Sequence, residues 1–188
     1  MMWQSPPMRA DAQRHRTVLV EAAARVFIRE GYDAPLELVL TESGLGRGTL
    51  YRHFANRNAL AVAVFELELD RITALVLDHQ GAPTMLPALL RHHAAAGVAA
   101  TAAVHKIVST GDLRLLEPLR ARADVLYEQV VTEAVRLKQV RVGFGAQDLR
   151  LVMRMIIAAA GDGTAGSAFD KPEIDVAIDI VMRGIRPT

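Results

Sequence analysis

One segment of eleven residues limits what this chain can fold into: Gly44-Leu45-Gly46-Arg47-Gly48-Thr49-Leu50-Tyr51-Arg52-His53-Phe54. Leu50 and Phe54 stand four apart, so they share one face of a helical turn. Leu45, just ahead of the helix, can close on the same core. Arg47, Thr49, Tyr51, Arg52 and His53 then lie at the sides or outward. The expected product is a short helix moored by two apolar side chains and dense in hydrogen-bond donors on its other face. It is too short and too polar to be a core helix, and it suits the major groove of duplex DNA. Gly44-Leu45-Gly46 reads as a tight turn, since glycine accepts a positive φ. Before it, Pro35 to Ser43 reads as a helix, with Pro35 at the first helical position and Leu36, Val39 and Leu40 facing inward. Helix, glycine turn and short helix make a helix-turn-helix.

The rest of the chain reads as helix as well. Met1 to Ala10 lacks periodicity and reads as an arm whose Arg9, like Arg14 and Arg16 after it, either touches a phosphate backbone or is simply solvated. Asp11 to Glu30 is expected as the first helix, with Asp11 as its cap. It has an apolar stripe of Val18, Ala22, Val26, Leu19, Ala23 and Phe27. Gly31 stops it. Asn56 is placed to cap a fourth helix running to about Asp78, at ~1.5 Å per residue long enough to leave the N-terminal unit and enter the next. Further helices are expected from Pro87 toward Gly97, from Ala99 to Ser109, from Pro118 to Lys138, from Gln147 to Ala160 and from Pro172 to Arg183. Gly161 to Asp170 reads as a glycine-rich loop. No segment alternates well enough to be a strand. The expected fold is therefore all-α: a three-helix helix-turn-helix domain over residues 11–57, a linking helix over 56–78, and a second helical domain over 79–188.

Composition narrows the function. The 188 residues carry a formal net charge of +1, which by itself implies no polyanionic partner. Residues 1–57 hold eight arginines against six acidic residues, and the remainder fourteen Lys+Arg against fifteen Asp+Glu, a weak tilt toward a basic N-terminus. There is no cysteine, so no disulfide or thiolate chemistry, which fits a reducing cytoplasm. No apolar run approaches the ~18 residues of a membrane span.

Gly44-x-Gly46-x-Gly48 is not a dinucleotide loop, because such a loop follows a buried strand and opens a full helix. His92 and His93 point about 100° apart on a helix, and no two histidines stand at i, i+4, so no metal site and no cofactor is expected. No nucleophile–base pair suggests an enzyme. Gly46 and Gly48 let a phosphate approach, Thr49 and Tyr51 offer hydroxyls, and Arg47 and His53 reach toward phosphates or base edges.

Gly31-Tyr32-Asp33-Ala34, the Gly44–Phe54 segment and Arg57-Asn58-Ala59-Leu60 together resemble the N-terminal signature of TetR-family transcriptional regulators, over residues 14 to about 66. The resemblance implies a DNA-binding N-terminal domain and a C-terminal domain that dimerises and often binds a small molecule. It implies DNA contacts from Arg47, Gly48, Thr49, Tyr51, Arg52 and His53, with Tyr51 on the phosphate backbone. It also implies that Leu45, Leu50 and Phe54 hold the third helix. Three positions depart from the family: Pro35 where Ser or Thr is usual, Leu40 where alanine is usual, and Asn58 where glutamate is usual. By the same resemblance Met85, Arg91, His105 and Tyr127 are candidates for a ligand cavity. Two broad apolar faces, containing Val152 and Ile156 on one helix and Ile178, Val181 and Met182 on another, pack either within the chain or also on a two-fold mate. The partners expected are an operator duplex, a second copy of the chain and a small-molecule effector; the expected function is that of a ligand-responsive repressor. A constitutive regulator without a ligand and an all-α small-molecule-binding protein are the alternatives.

Overall fold

The computed structural model describes residues 7–109, 113–160 and 171–187. Its elements are α1 (Pro7–Glu30), α2 (Leu36–Ser43), α3 (Arg47–His53), α4 (Arg57–Asp78), α5 (Met85–Ser109), a 3-10 turn at Leu113–Leu115, α6 (Glu117–Arg136), α7 (Ala146–Ala160) and α8 (Lys171–Ile185). The described residues form no strand, and no helix among them is long and apolar enough to cross a membrane. The stretch expected as a loop at 161–170 lies outside the described residues.

Two apolar cores carry the fold. The first gathers Leu19, Ala22, Ala23, Val26 and Phe27 of α1, Val39 of α2, Leu50 and Phe54 around α3, and Leu60, Ala61 and Val64 of α4. The second gathers Leu69, Ile72 and Val76 of α4 with residues of α5 to α8, among them Leu89, Leu90, Leu126, Val130, Leu149, Ile156, Ile178 and Met182. One face of α4 therefore serves both cores in succession. Asn56 caps that helix as its sequence indicates, its Oδ1 accepting from the Ala59 amide at 2.9 Å.

In the N-terminal half three boundaries differ from the sequence-based expectation. Helix α1 begins at Pro7 rather than Asp11, because proline is tolerated in a first turn. Asp11 sits inside the helix and pairs with Arg14 at 2.7 Å instead of capping. Pro35 takes the N-cap position with φ −54° and ψ 132°, one residue before helical geometry begins. Helix α3 ends at His53, and Phe54 adopts extended backbone, which turns its side chain down into the core.

The larger difference is α5. It runs unbroken through Gly97, where the sequence suggests two helices. Gly97 is buried, and a Cβ there would stand 2.7 Å from His93 Nδ1. This glycine makes room for the imidazole ring; it does not stop the helix. The alanine-rich flanks on either side keep the helix going. As a result α5 also reaches the first core, where Ile107 joins it, together with Leu116 after the 3-10 turn.

Glycine-to-alanine in a helix interior ordinarily stabilises by about 1 kcal/mol. Gly97→Ala is expected to do the opposite and cost about 1–3 kcal/mol through the forced overlap with His93. Thermal unfolding of the single variant, and of the same change in a His93→Ala background where the cost should vanish, checks this.

Candidate functional site

Helix α3 has seven residues, far short of the ~12–15 that hold a helix in water unaided. Its anchors supply what length does not. Leu50 is 2 % and Phe54 4 % exposed, and Leu45 packs half-buried against the same core. The turn before it closes on Gly44, which adopts φ 67° and donates its N–H to the Leu40 carbonyl at 3.0 Å. Two arginines brace the unit from outside. Arg57 Nη1 lies 2.6 Å from the carbonyls of both Tyr32 and Ala34, tying the start of α4 to the loop after α1. The Arg16 guanidinium lies over the Phe54 ring at 5.4 Å and pairs with Glu66 at 3.6 Å. Arg14 and Arg16, read as candidate phosphate contacts, thus have partners within the chain, and the Arg9 side chain lies outside the described part.

The opposite side of α3 faces out. Arg47, Gly48, Tyr51 and Arg52 are exposed, and Thr49 and His53 are half-buried at the flanks. The six sequence-selected residues thus lie on or beside one surface. A Cβ at Gly46 or Gly48 would meet nothing within 4 Å, so the approach to the start of α3 is open. Burial, then the neighbouring charges of His15, Arg52 and Arg16, lower the His53 pKa below the ordinary imidazole value, so a neutral ring faces any partner at neutral pH.

A residue that the sequence does not single out joins this surface. Glu37, on α2, forms an ion pair with Arg47. The pair is exposed and contributes at most about 1 kcal/mol. It holds the arginine beside the exposed side of α3. On the far side of α2, Glu42 pairs with Arg25 at 2.8 Å and Arg29 at 3.6 Å, which pulls its pKa down and fixes α2 on α1.

A second site lies in the other half. Among the described residues, a cavity of about 370 Å³ opens between α4, α5, α6 and α7. Its apolar lining includes Phe65, Leu69, Ile72 and Met153, and its polar lining Glu68, His93, Asp124, Tyr127 and Arg150. Of the three sequence-selected ligand candidates with described side chains, Met85, Arg91 and Tyr127, only Tyr127 faces it. Met85 is fully buried and borders a separate cleft between α4 and α6. Arg91 is exposed and pairs with Asp175 of α8 at 2.7 Å. His105 lies on α5 with its side chain outside the described part. Glu68 and Arg150 went unread because helical periodicity marks apolar faces and says nothing of a charged residue turned inward. No group of three His, Cys, Asp or Glu residues among the described ones could hold a metal ion.

The five residues expected at a dimer interface line the inner seam of α7 and α8. Val152, Ile156, Ile178 and Met182 are buried in the chain's own core, and Val181 packs partly buried against it. Outward from the same two helices stand Leu151, Met155, Val176 and Ile180, between 49 % and 65 % exposed.

Residues 19–64 match the model of the bacterial regulatory proteins of the tetR family. An HTH-type transcriptional regulator of Staphylococcus aureus (strain USA300) is 38 % identical over 64 residues, which cover 34 % of this chain and 35 % of that protein. The match to this curated relative therefore spans about a third of its length. Two solved structures are similar over nearly the whole chain. A TetR transcriptional regulator from Streptomyces coelicolor superposes with a TM-score of 0.62 at 26 % identity, covering 92 % of this chain and 99 % of that one. A TetR transcription regulatory protein from Mycobacterium vanbaalenii gives 0.69 at 25 %, covering 96 % and 99 %.

His93 supplies a pH test of this part of the structure. Burial lowers its pKa to about 4, and its Nδ1 has no hydrogen-bond partner. The unfolded chain takes up this proton from about pH 6.5 downward, whereas the folded chain takes it up only near 4. The contribution is therefore intact above about pH 6.5, and about 3 kcal/mol is lost as pH falls to 4. Urea midpoints measured between pH 7.5 and 4 should fall less steeply for His93→Phe than for the unmodified protein.

Proposed function

We propose, from the premise that residues 19–64 make this a tetR-family chain, that it is a sequence-specific DNA-binding regulator that acts as a homodimer. The observation that carries the reading is the two-sided α3: Leu50 and Phe54 buried beneath, Arg47, Tyr51 and Arg52 exposed above. In this reading α3 enters the major groove, Tyr51 and Thr49 bind phosphates, and Arg47 leaves Glu37 for a guanine edge or a phosphate. Gly48, Arg52 and His53 complete the contact surface. Residues 11–57 read DNA, 56–78 link, and 79–188 dimerise and take an effector; the setting is the cytoplasm.

Dimerisation follows from the chemistry of recognition. One short helix reads too few base pairs to be selective, and two half-sites on one face of the duplex need a two-fold mate. Leu151 and Met155 share one face of α7, and Val176 and Ile180 one face of α8, because each pair is four apart. A second copy covering both faces gives a four-helix bundle. The sign of regulation proposed is repression, relieved when an effector occupies the C-terminal cavity. Effector and operator then weaken each other by the same factor. The cavity supports this reading over a constitutive regulator, which needs no such space.

Operator affinity tests the contacts. On a duplex selected from random sequence, Arg47→Ala is expected to lose about 1–3 kcal/mol and Tyr51→Phe about 1 kcal/mol, each with an unchanged melting temperature. Binding by the unmodified protein should weaken as salt rises. Affinity that neither variant alters, or a flat salt response, would reject the assignment. Ile180→Glu is expected to shift the protein to monomers in sedimentation and to weaken operator binding with it; a variant that stays dimeric would move the interface elsewhere.

A further inference from the structure

The cavity between α4 and α7 contains charges that do not balance in the usual way. Arg150 is matched in part: its Nη1 donates to Asp124 Oδ1 at 2.6 Å and its guanidinium lies over the Tyr127 ring at 5.2 Å, while its buried Nε has no partner among the described residues. Arg120 and Arg154 also border the space, but both are exposed, where solvent and salt screen them. Glu68 is different. It is 5 % exposed on the cavity wall, and His92 Nε2 at 2.8 Å is its hydrogen-bond partner. A buried carboxylate is costly unless a cation or several donors meet it. His93, next along α5, is held neutral by burial and supplies no charge. The Tyr127 phenol is kept neutral as well, since burial raises its pKa. Glu68 is thus an inward-facing carboxylate with His92 as its side-chain partner among the described residues, in a mainly apolar space that also holds the Phe65 and Tyr127 rings.

We propose that this cavity takes an organic cation: a small, mainly apolar molecule whose protonated nitrogen rests on the Glu68 carboxylate. The walls suit such a guest. Tyr127 already accommodates one delocalised cation, the Arg150 guanidinium, on its ring, and an aromatic face within ~6 Å attracts a cation. Phe65, Leu69, Ile72 and Met153 take up the apolar body, and about 370 Å³ lies within the range of small-molecule sites. An anionic guest could meet Arg150 Nε but would be repelled where its head group approached Glu68, so the carboxylic acid is the probe that opposes this assignment. The assignment rests on the reading above for its role as an effector site, and concerns the chemical class of that effector.

Three probes of one shape separate the classes: 4-phenylbutylamine, 4-phenylbutan-1-ol and 4-phenylbutyrate. Calorimetric titration of the intact protein at pH 8.0 should rank the amine at least tenfold tighter than the alcohol and the acid. Glu68→Gln should lower amine affinity at least tenfold and leave the alcohol within twofold. The assignment is overturned if the acid binds tightest, if none of the three binds at millimolar concentration, or if Glu68→Gln folds and keeps the amine preference. If Glu68→Gln fails to melt cooperatively, the ranking on the unmodified protein decides alone. Operator binding measured on the same preparations keeps the two readings apart. Protein that binds the duplex but fails the amine ranking overturns the cavity assignment only. Protein that passes the ranking but ignores the duplex overturns the regulator reading only.

Discussion

Burial of Leu50 and Phe54 beneath α3 is the contact on which the surface above it depends. Neither the seven residues of α3 nor its turn could hold a helix in place alone. The two side chains join Leu19, Ala23 and Phe27 of α1 and Leu60 and Val64 of α4 in one core, so the position of α3 is set by two much longer helices. Losing either anchor leaves a cavity worth several kcal/mol and removes the reference against which Arg47, Thr49 and Tyr51 are placed. The polar braces are consistent with this. Arg57 fixes the loop before α2 from the start of α4, and Arg16 covers Phe54 from α1.

The two halves of the molecule are joined by a pair of helices. Leu60 to Val64 of α4 lie in the first core and Leu69 to Val76 in the second, and α5 repeats the pattern in reverse, with Leu89 and Leu90 in the second core and Ile107 in the first. The cavity residues Phe65 and Glu68 sit on α4 only eight residues or fewer past Leu60, about 12 Å along the helix. The cavity is therefore lined by the same helix that contributes Leu60 and Val64 to the first core. Because α5 is continuous through Gly97, two helices, α4 and α5, contribute to both cores.

Much of this could be read from local spacing. The i, i+4 relation of Leu50 and Phe54, the cap at Asn56 and the stripe of α1 need only a few neighbouring residues, and the structure reproduces them. What local spacing cannot show is which partner a residue meets across the fold. Gly97 reads as a break because its reason for being glycine is the His93 ring packed against it. Glu37 meets Arg47 only once α2 and α3 are set side by side. Glu68 is turned inward by the packing of α4 against its neighbours, which spacing along α4 alone does not show. On α7 and α8 the apolar stripes are wide enough to serve two neighbours, and only the folded chain separates the inner set of Val152 and Ile178 from the outer set of Leu151 and Ile180.

The most direct test of the central claim is backbone deuterium exchange along residues 36–54, in the free protein and with a duplex selected from random sequence. Exchange over residues 46–53 should slow when the duplex binds, while the buried stretch 19–27 of α1 stays as it was. Binding that leaves 46–53 unchanged, with protection only elsewhere in the chain, would contradict the account.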